Sequence, residues 1–188
     1  MTLPPFDDRP GVIWFNGDLV PWTEAKLHAF SHGLHFASAV FEGIRVYGGV
    51  PFRLEQHTTR FLRSAQLVDF EIPFTEVQIN NACLELVRVQ EIDDGYIRPI
   101  SWRGPEFMAP VAIGASIHVA IATWEWPIYY SPEARMEGIR LKIADWRRPA
   151  PDTAPTQAKA SGLYQICTLA KNDAERSGFD DALMYDYR

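Results

Sequence analysis

The stretch Phe41-Glu42-Gly43-Ile44-Arg45-Val46-Tyr47-Gly48-Gly49-Val50-Pro51-Phe52-Arg53-Leu54 sets two β-prone runs on either side of a glycine pair. Glycine accepts the positive φ that a two-residue hairpin loop demands, so residues 41–47 and 50–54 predict a hairpin turning at Gly48-Gly49. Upstream, the apolar run 12–15 followed by Asn16-Gly17 and Leu19-Val20 predicts an opening hairpin by the same logic. Downstream the period changes. Leu54, Phe61, Leu62, Ala65 and Val68 mostly recur at three- and four-residue steps, which predicts an amphipathic helix over 54–70. Thr75 with Gln78 is a capping-box pattern, and the apolar face of Val77, Ile79, Ala82, Cys83, Leu86 and Val87 carries a second helix to about Val89.

Residues 96–102 and 113–124 are rich in aromatic and β-branched side chains and read as strands, the first interrupted or ended near Pro99. Pro127 and Pro132 then break the regularity, and a new strand begins where Ile139, Leu141 and Ile143 alternate with Arg140 and Lys142. Residues 147–160, with three prolines and no period, predict a long ordered loop or crossing segment. A helix over 163–177 stopped by Gly178 and a strand over 181–187 follow. The pattern is that of an α/β protein: an N-terminal α+β domain over 1–124, a connection over 125–137, and over 138–188 the first part of a second α/β domain.

The 188 residues are 47% hydrophobic and 22% charged, which excludes global disorder. A net charge of -6 has the wrong sign for a general phosphate-backbone binder, so nucleic acid is not an expected partner. No stretch approaches the roughly 20 apolar residues that span a bilayer. Asp7, Asp8 and Arg9 stand where a signal peptide needs an apolar run, so a cytoplasmic protein without a membrane partner is expected. Cys83 and Cys167, each in a helix-like apolar pattern, suggest buried reduced thiols.

His28, His32 and His35 have the i, i+4, i+7 spacing that would converge on a metal if one helix carried all three, but Gly33 interrupts it, no carboxylate completes the set, and no metal site is expected. The dinucleotide, P-loop and nucleophile-elbow glycine patterns do not occur. Lysine chemistry remains, and with 14 Arg there are only four lysines. A Schiff-base lysine must be free of surface ion pairing and able to lose its proton. Lys142 alternates with apolar residues and reads as solvated. Lys26 lies near Glu24, and Lys171 has Glu175 at i+4. Lys159 differs: flanked by Ala158 and Ala160 and followed by Ser161-Gly162, it has neighbours small enough for a planar ring to approach, although composition alone reads it equally as a surface lysine.

Four segments in register carry a resemblance: Phe41-Glu42-Gly43-Ile44-Arg45, Tyr96-Ile97-Arg98-Pro99, Trp126-Pro127-Ile128-Tyr129 and Ala158-Lys159-Ala160-Ser161-Gly162-Leu163-Tyr164. Their order and spacing resemble the branched-chain amino acid aminotransferases, pyridoxal-phosphate enzymes of fold type IV with the D-amino acid aminotransferase-like architecture. The resemblance runs from about Val12 to Arg188. It implies that Lys159 is the lysine that condenses with the cofactor aldehyde and shuttles the substrate proton, that Tyr164 hydrogen-bonds the ring hydroxyl, and that Arg60 binds the phosphate. It further implies that Tyr96, Arg98 and Arg45 read substrate carboxylates, with Arg98 the preferred partner. Phe41, Gly43, Trp126 and Tyr129 would line a pocket for an aliphatic side chain. Phe36 stands where the family often has a tyrosine reaching across a dimer interface.

The implied reaction is ping-pong amino transfer between leucine, isoleucine or valine and 2-oxoglutarate, in a homo-oligomer whose small-molecule partners are amino acids and 2-oxo acids. Family members continue for roughly a hundred residues beyond the position of Arg188, so the expectation is a chain lacking the acidic partner of the pyridine nitrogen and part of the phosphate site. The rivals are a D-amino acid aminotransferase or an aminodeoxychorismate lyase of the same fold, an inactive fragment acting only in dimerisation, and a metal-binding domain built on the three histidines.

Overall fold

The computed structural model describes residues 5–126 and 136–188. Its main element is an antiparallel sheet built from β1 (Val12–Phe15), β2 (Asp18–Pro21), β3 (Ala39–Phe41), β4 (Ile44–Tyr47), β5 (Val50–Pro51), β6 (Gly95–Arg103) and β7 (Ile117–Glu125), in the order β2-β1-β7-β6-β4-β5, with β3 also paired to β6. Both glycine turns form as the sequence predicts: Asn16 and Gly17 have φ of 53° and 114°, Gly48 and Gly49 of 55° and 73°. The run 41–47 is not one strand, however. It breaks at Glu42-Gly43, where β3 ends and β4 begins.

That break explains a second departure from the sequence expectation: β6 runs unbroken through Pro99. The Pro99 carbonyl accepts a hydrogen bond from Glu42 N at 2.8 Å. A residue's N–H and C=O leave a strand on the same side, so the donor that proline lacks would have faced the gap between β3 and β4, not the ladder to β7. The proline therefore removes no bond from the ladder between β6 and β7.

Two helices, α2 (Leu54–Leu67) and α3 (Glu76–Val89), pack on one face of the sheet, while α1 (His32–His35) is a single turn. The capping box at Thr75 and Gln78 is complete, with the Thr75 side chain accepting from Gln78 N and the Gln78 side chain accepting from Thr75 N. Phe61, Ile79, Leu86, Ile97, Val119 and Ile121 are fully buried between helices and sheet. Each contributes about 1.5–3 kcal/mol by its transfer from water. Cys83 lies in this core, and burial pushes its thiol up to about 12. Cys167 is only half-buried, so the expected second buried thiol is a partial one.

Strand alternation assigns the opposite face of the sheet to Tyr96, Arg98, Ala120 and Ala122. Arg45 pairs with Tyr96, and Arg98 pairs with Ala122. A small satellite cluster of Ile13, Trp22 and Trp124 supports this face, with Tyr96 and Trp126 packed against it.

After the segment 136–140 come β8 (Leu141–Ile143), a long irregular stretch, a one-turn 3-10 helix (Ser161–Tyr164), α4 (Gln165–Arg176) and β9 (Asp181–Leu183). β8 and β9 pair in parallel, the geometry that needs a crossover such as α4. The predicted helix over 163–177 thus begins two residues late because the chain first turns tightly at Ser161–Tyr164. Lys142, expected in solvent, is half-buried and bonds Asp173 Oδ2 at 2.6 Å and Ser177 Oγ at 2.9 Å on α4. Among the described residues, no helix is long and apolar enough to cross a membrane. The Thr75→Ala variant is expected to lose about 1 kcal/mol of stability, read from the midpoint of urea unfolding, because the Gln78 N–H in the first turn of α3 then loses its side-chain acceptor.

Candidate active site

The residues around Lys159 are tied to the N-terminal sheet by backbone. Lys159 O accepts from Phe41 N at 3.1 Å, Lys159 N donates to the Ser64 hydroxyl at 3.0 Å, and Ala160 forms an antiparallel bridge with Val40. Ala158 and Ala160 are themselves buried in the main core. Small side chains are needed there, because the segment lies against β3 and α2. Lys159 is thereby fixed at both neighbours while its side chain extends away from them.

The Lys159 amine donates to Tyr164 Oη at 2.6 Å and lies 4.6 Å from the centre of the Phe41 ring. The Phe41 ring is a hub. Tyr164 meets it edge-on with centroids 4.8 Å apart, and the Arg98 guanidinium carbon lies 4.8 Å from its centre. Arg98 also donates to Tyr96 Oη at 3.4 Å, and its Nε is buried without a hydrogen-bond partner among the described residues. A buried cationic donor left open is costly unless an anion reaches it.

Gly43 sits beside Tyr96, and a Cβ at that position would collide with the tyrosine hydroxyl. Tyr96 also packs on Trp126 with ring centroids 5.5 Å apart, and Arg45 donates to the Trp126 carbonyl at 3.2 Å. Thus the structure gathers Lys159, Tyr164, Phe41, Arg98, Tyr96 and Gly43 around one ring cluster, with Trp126 and Arg45 beyond Tyr96. Tyr129 lies outside the described residues, as do Pro127 and Ile128. An apolar cavity of about 670 Å³ with Arg98, Ala122 and Tyr164 in its lining opens on the same face.

Arg60 reaches a second, polar cavity of about 190 Å³, lined also by Lys159, Tyr164, Arg148 and Thr156. Its fork, which the sequence reading assigns to a phosphate, is already engaged on one edge: Nε bonds Glu42 Oε1 at 2.5 Å and Nη2 bonds Oε2 at 2.8 Å. The hydrogen bond to Glu42 raises the Arg60 pKa above its ordinary value. Glu42 is fully buried. Burial pushes its carboxyl up, but hydrogen bonds from Arg60 and His57, the Arg60 charge and the Gly43 N–H together outweigh this and hold its pKa below the ordinary value.

Sequence reasoning missed Glu42, Ser64 and Arg148. Glu42 and Ser64 had a signal, since each is a polar residue in a core-facing run, Glu42 between Phe41 and Ile44 and Ser64 beside Phe61 and Ala65. Arg148 had none, because it lies in a loop whose path only the fold reveals.

The three histidines diverge. His32 is buried between Ser38 Oγ at 2.6 Å and the Ala109 carbonyl at 2.9 Å, and His35 bonds the Ala29 carbonyl. His28 Nδ1 accepts from Phe30 N at 3.1 Å, and no group of metal-ligating side chains occurs among the described residues. Lys171 pairs with Glu175 at 3.2 Å, the exposed helix pair that its spacing predicts, and also bonds the Asp180 carbonyl.

A branched-chain-amino-acid aminotransferase of Pseudomonas aeruginosa is 39% identical over 183 residues, covering 95% of this chain and 60% of that protein. A probable branched-chain-amino-acid aminotransferase of Rickettsia bellii is 37% identical over 175 residues, covering 93% of this chain and 59% of that protein. The chain therefore spans about three-fifths of the length of the curated relatives it matches. Among solved structures, a T.th. branched-chain amino acid aminotransferase with pyridoxamine 5'-phosphate superposes with a TM-score of 0.90 at 38% identity, over 95% of this chain and 60% of that one. The Escherichia coli branched-chain amino acid aminotransferase superposes with a TM-score of 0.89 at 36% identity, over the same shares. The fold is that of the fold type IV aminotransferases. With the amino-transferase class IV family model matching residues 39–188, the chain belongs to the class IV aminotransferases.

Proposed function

We propose that this chain carries the lysine, the phosphate-binding arginine and the carboxylate-reading face of a pyridoxal-phosphate-dependent branched-chain amino acid aminotransferase. The observation that carries the reading is the placement of the Lys159 amine 2.6 Å from Tyr164 Oη, with both residues lining the polar cavity that Arg60 reaches. The donor set suits pyridoxal phosphate: an amine for the aldehyde, a phenol for the ring hydroxyl, and two arginines, Arg60 and Arg148, for a dianion. When bound, that cofactor supplies an aldehyde and an electron sink.

The chain's own residues would do the rest. Lys159 Nζ would hold the cofactor through its aldehyde, and the same amine, beside Tyr164 and lining the polar cavity, is the group that would hold and move the substrate's proton. Tyr164 Oη accepts from the Lys159 amine and would hydrogen-bond the cofactor's ring hydroxyl. Arg98, with its open buried Nε and its bond to Tyr96, receives the carboxylate of glutamate or 2-oxoglutarate. Arg45 orients the Trp126 backbone and stands by for a second carboxylate contact. Phe41, Gly43 and Trp126, which gather about Arg98 and Tyr96, are the proposed contacts of the aliphatic side chain, and the family resemblance adds Tyr129, which lies outside the described residues.

Leucine, isoleucine and valine are the proposed donors, 2-oxoglutarate the acceptor, and branched-chain 2-oxo acids with L-glutamate the products. The relatives at 35–39% identity carry the branched-chain name, which favours this reading over a D-amino acid aminotransferase or an aminodeoxychorismate lyase. A homo-oligomer and a cytoplasmic location belong to the same proposal. The exposed apolar side chains of Phe30, Leu34 and Phe36 support the first, and the two unpaired cysteines support a reducing compartment. A domain division at 124 and 138 completes it, with β8, α4 and β9 as the start of a larger second unit.

Two outcomes follow. Lys159→Ala is expected to abolish both the visible absorbance that develops when pyridoxal phosphate is added and any transamination of leucine, whereas retention of either would contradict the site. Gly43→Ala, by displacing the Tyr96 hydroxyl and with it Arg98, is expected to raise KM for 2-oxoglutarate about tenfold or more while leaving the visible absorbance unchanged, measured by steady-state kinetics and spectrum.

A further inference from the structure

Glu42 is a fully buried carboxylate that the proposed chemistry does not use. Its two oxygens are taken up by Arg60 Nε and Nη2, His57 Nδ1 at 2.8 Å and the Gly43 N–H at 3.2 Å. Burying such a pair is a poor way to gain stability, since desolvation offsets much of the attraction and an apolar pair of the same shape often does as well. Nor does Glu42 help by charge, because a carboxylate beside Arg60 weakens the positive field that an incoming phosphate meets.

Geometry is what it provides. The Arg60 side chain is half exposed, at 53%, and free to adopt many rotamers. Two parallel bonds to Glu42 fix the guanidinium plane, and they consume the Nε/Nη2 edge. Nη1 is left as the nitrogen without a partner among the described residues, on a side chain that lines the same cavity as Lys159 and Tyr164. Glu42 itself is held where β3 stops, one residue from Phe41, whose N–H bonds the Lys159 carbonyl.

We propose that Glu42, braced by His57, is a positioning residue that locks Arg60 so that its Nη1 edge faces the phosphate of a cofactor condensed with Lys159. The proposal rests on the cofactor site described above. It makes a prediction opposite to that of charge alone: neutralising Glu42 raises the net positive charge around the cavity yet weakens phosphate binding.

The test is a titration of the full chain with pyridoxal phosphate and, separately, with pyridoxal, which lacks the phosphate, following the visible absorbance. The ratio of the two apparent dissociation constants is the phosphate preference. Glu42→Gln is expected to reduce that preference about tenfold, as loss of oriented charge-assisted bonding implies, with pyridoxal binding unchanged. Arg60→Ala is expected to reduce it at least as far, to what Arg148 alone supplies. An unchanged or increased preference in a folded Glu42→Gln chain overturns the proposal while leaving the lysine site standing. Should circular dichroism show that Glu42→Gln does not fold, Glu42→Asp decides: its carboxylate is withdrawn by one methylene, a loss of about threefold or more is expected, and no loss overturns the proposal. A wild-type chain giving no absorbance change with either compound removes the site itself, and the Glu42 role with it.

Discussion

The hydrogen bonds from Phe41 N to Lys159 O and from Lys159 N to Ser64 Oγ are the constraint on which the arrangement depends. They stitch a loop 118 positions further along the sequence, counting from 41 to 159, into the edge left where β3 stops. A buried backbone N–H or carbonyl without a partner costs on the order of 1–3 kcal/mol, so the loop has a strong reason to stay in this register. A one-residue slip would send the Lys159 side chain to the opposite side of the extended segment.

The interrupted edge at Glu42-Gly43 serves several ends together. It accommodates Pro99 in β6, releases Glu42 from the pleat toward Arg60 and His57, and brings Gly43 against the Tyr96 hydroxyl. It also leaves Phe41 as the last residue of β3, with its ring touching Lys159, Tyr164 and Arg98. Sheet alternation then sorts the rest: Ile97, Val119 and Ile121 build the core against α2 and α3, while Tyr96 and Arg98 look to the reactive face. A rigid, two-sided sheet of this kind can hold polar side chains within narrow tolerances.

Much of this is legible from residues alone. The Asn16-Gly17 and Gly48-Gly49 turns, the capping box at Thr75, and the periods of α2 and α3 are local signals, and the structure carries each of them. The strand break at 42–43 has only a weak local signal, two poor strand formers, Glu42 and Gly43, inside a β-prone run, and Pro99 reads as a terminator until the fold shows that its missing donor faces away from the ladder to β7. Lys159 stands out among four lysines by its small neighbours, yet its partners lie in β3 and α2, and long-range contacts of that kind leave no local trace. The Glu42 clamp on Arg60 spans 18 positions and two element types, and only the fold brings it together.

The most direct measurement is peptide mapping after borohydride reduction of the chain incubated with pyridoxal phosphate, which makes the lysine attachment permanent. A pyridoxyl group on the peptide containing Lys159, with Lys26, Lys142 and Lys171 unlabelled, is the result expected from an amine held beside Tyr164 while the others are solvated or paired. Labelling spread evenly over the four lysines, or absent from Lys159, would contradict the account.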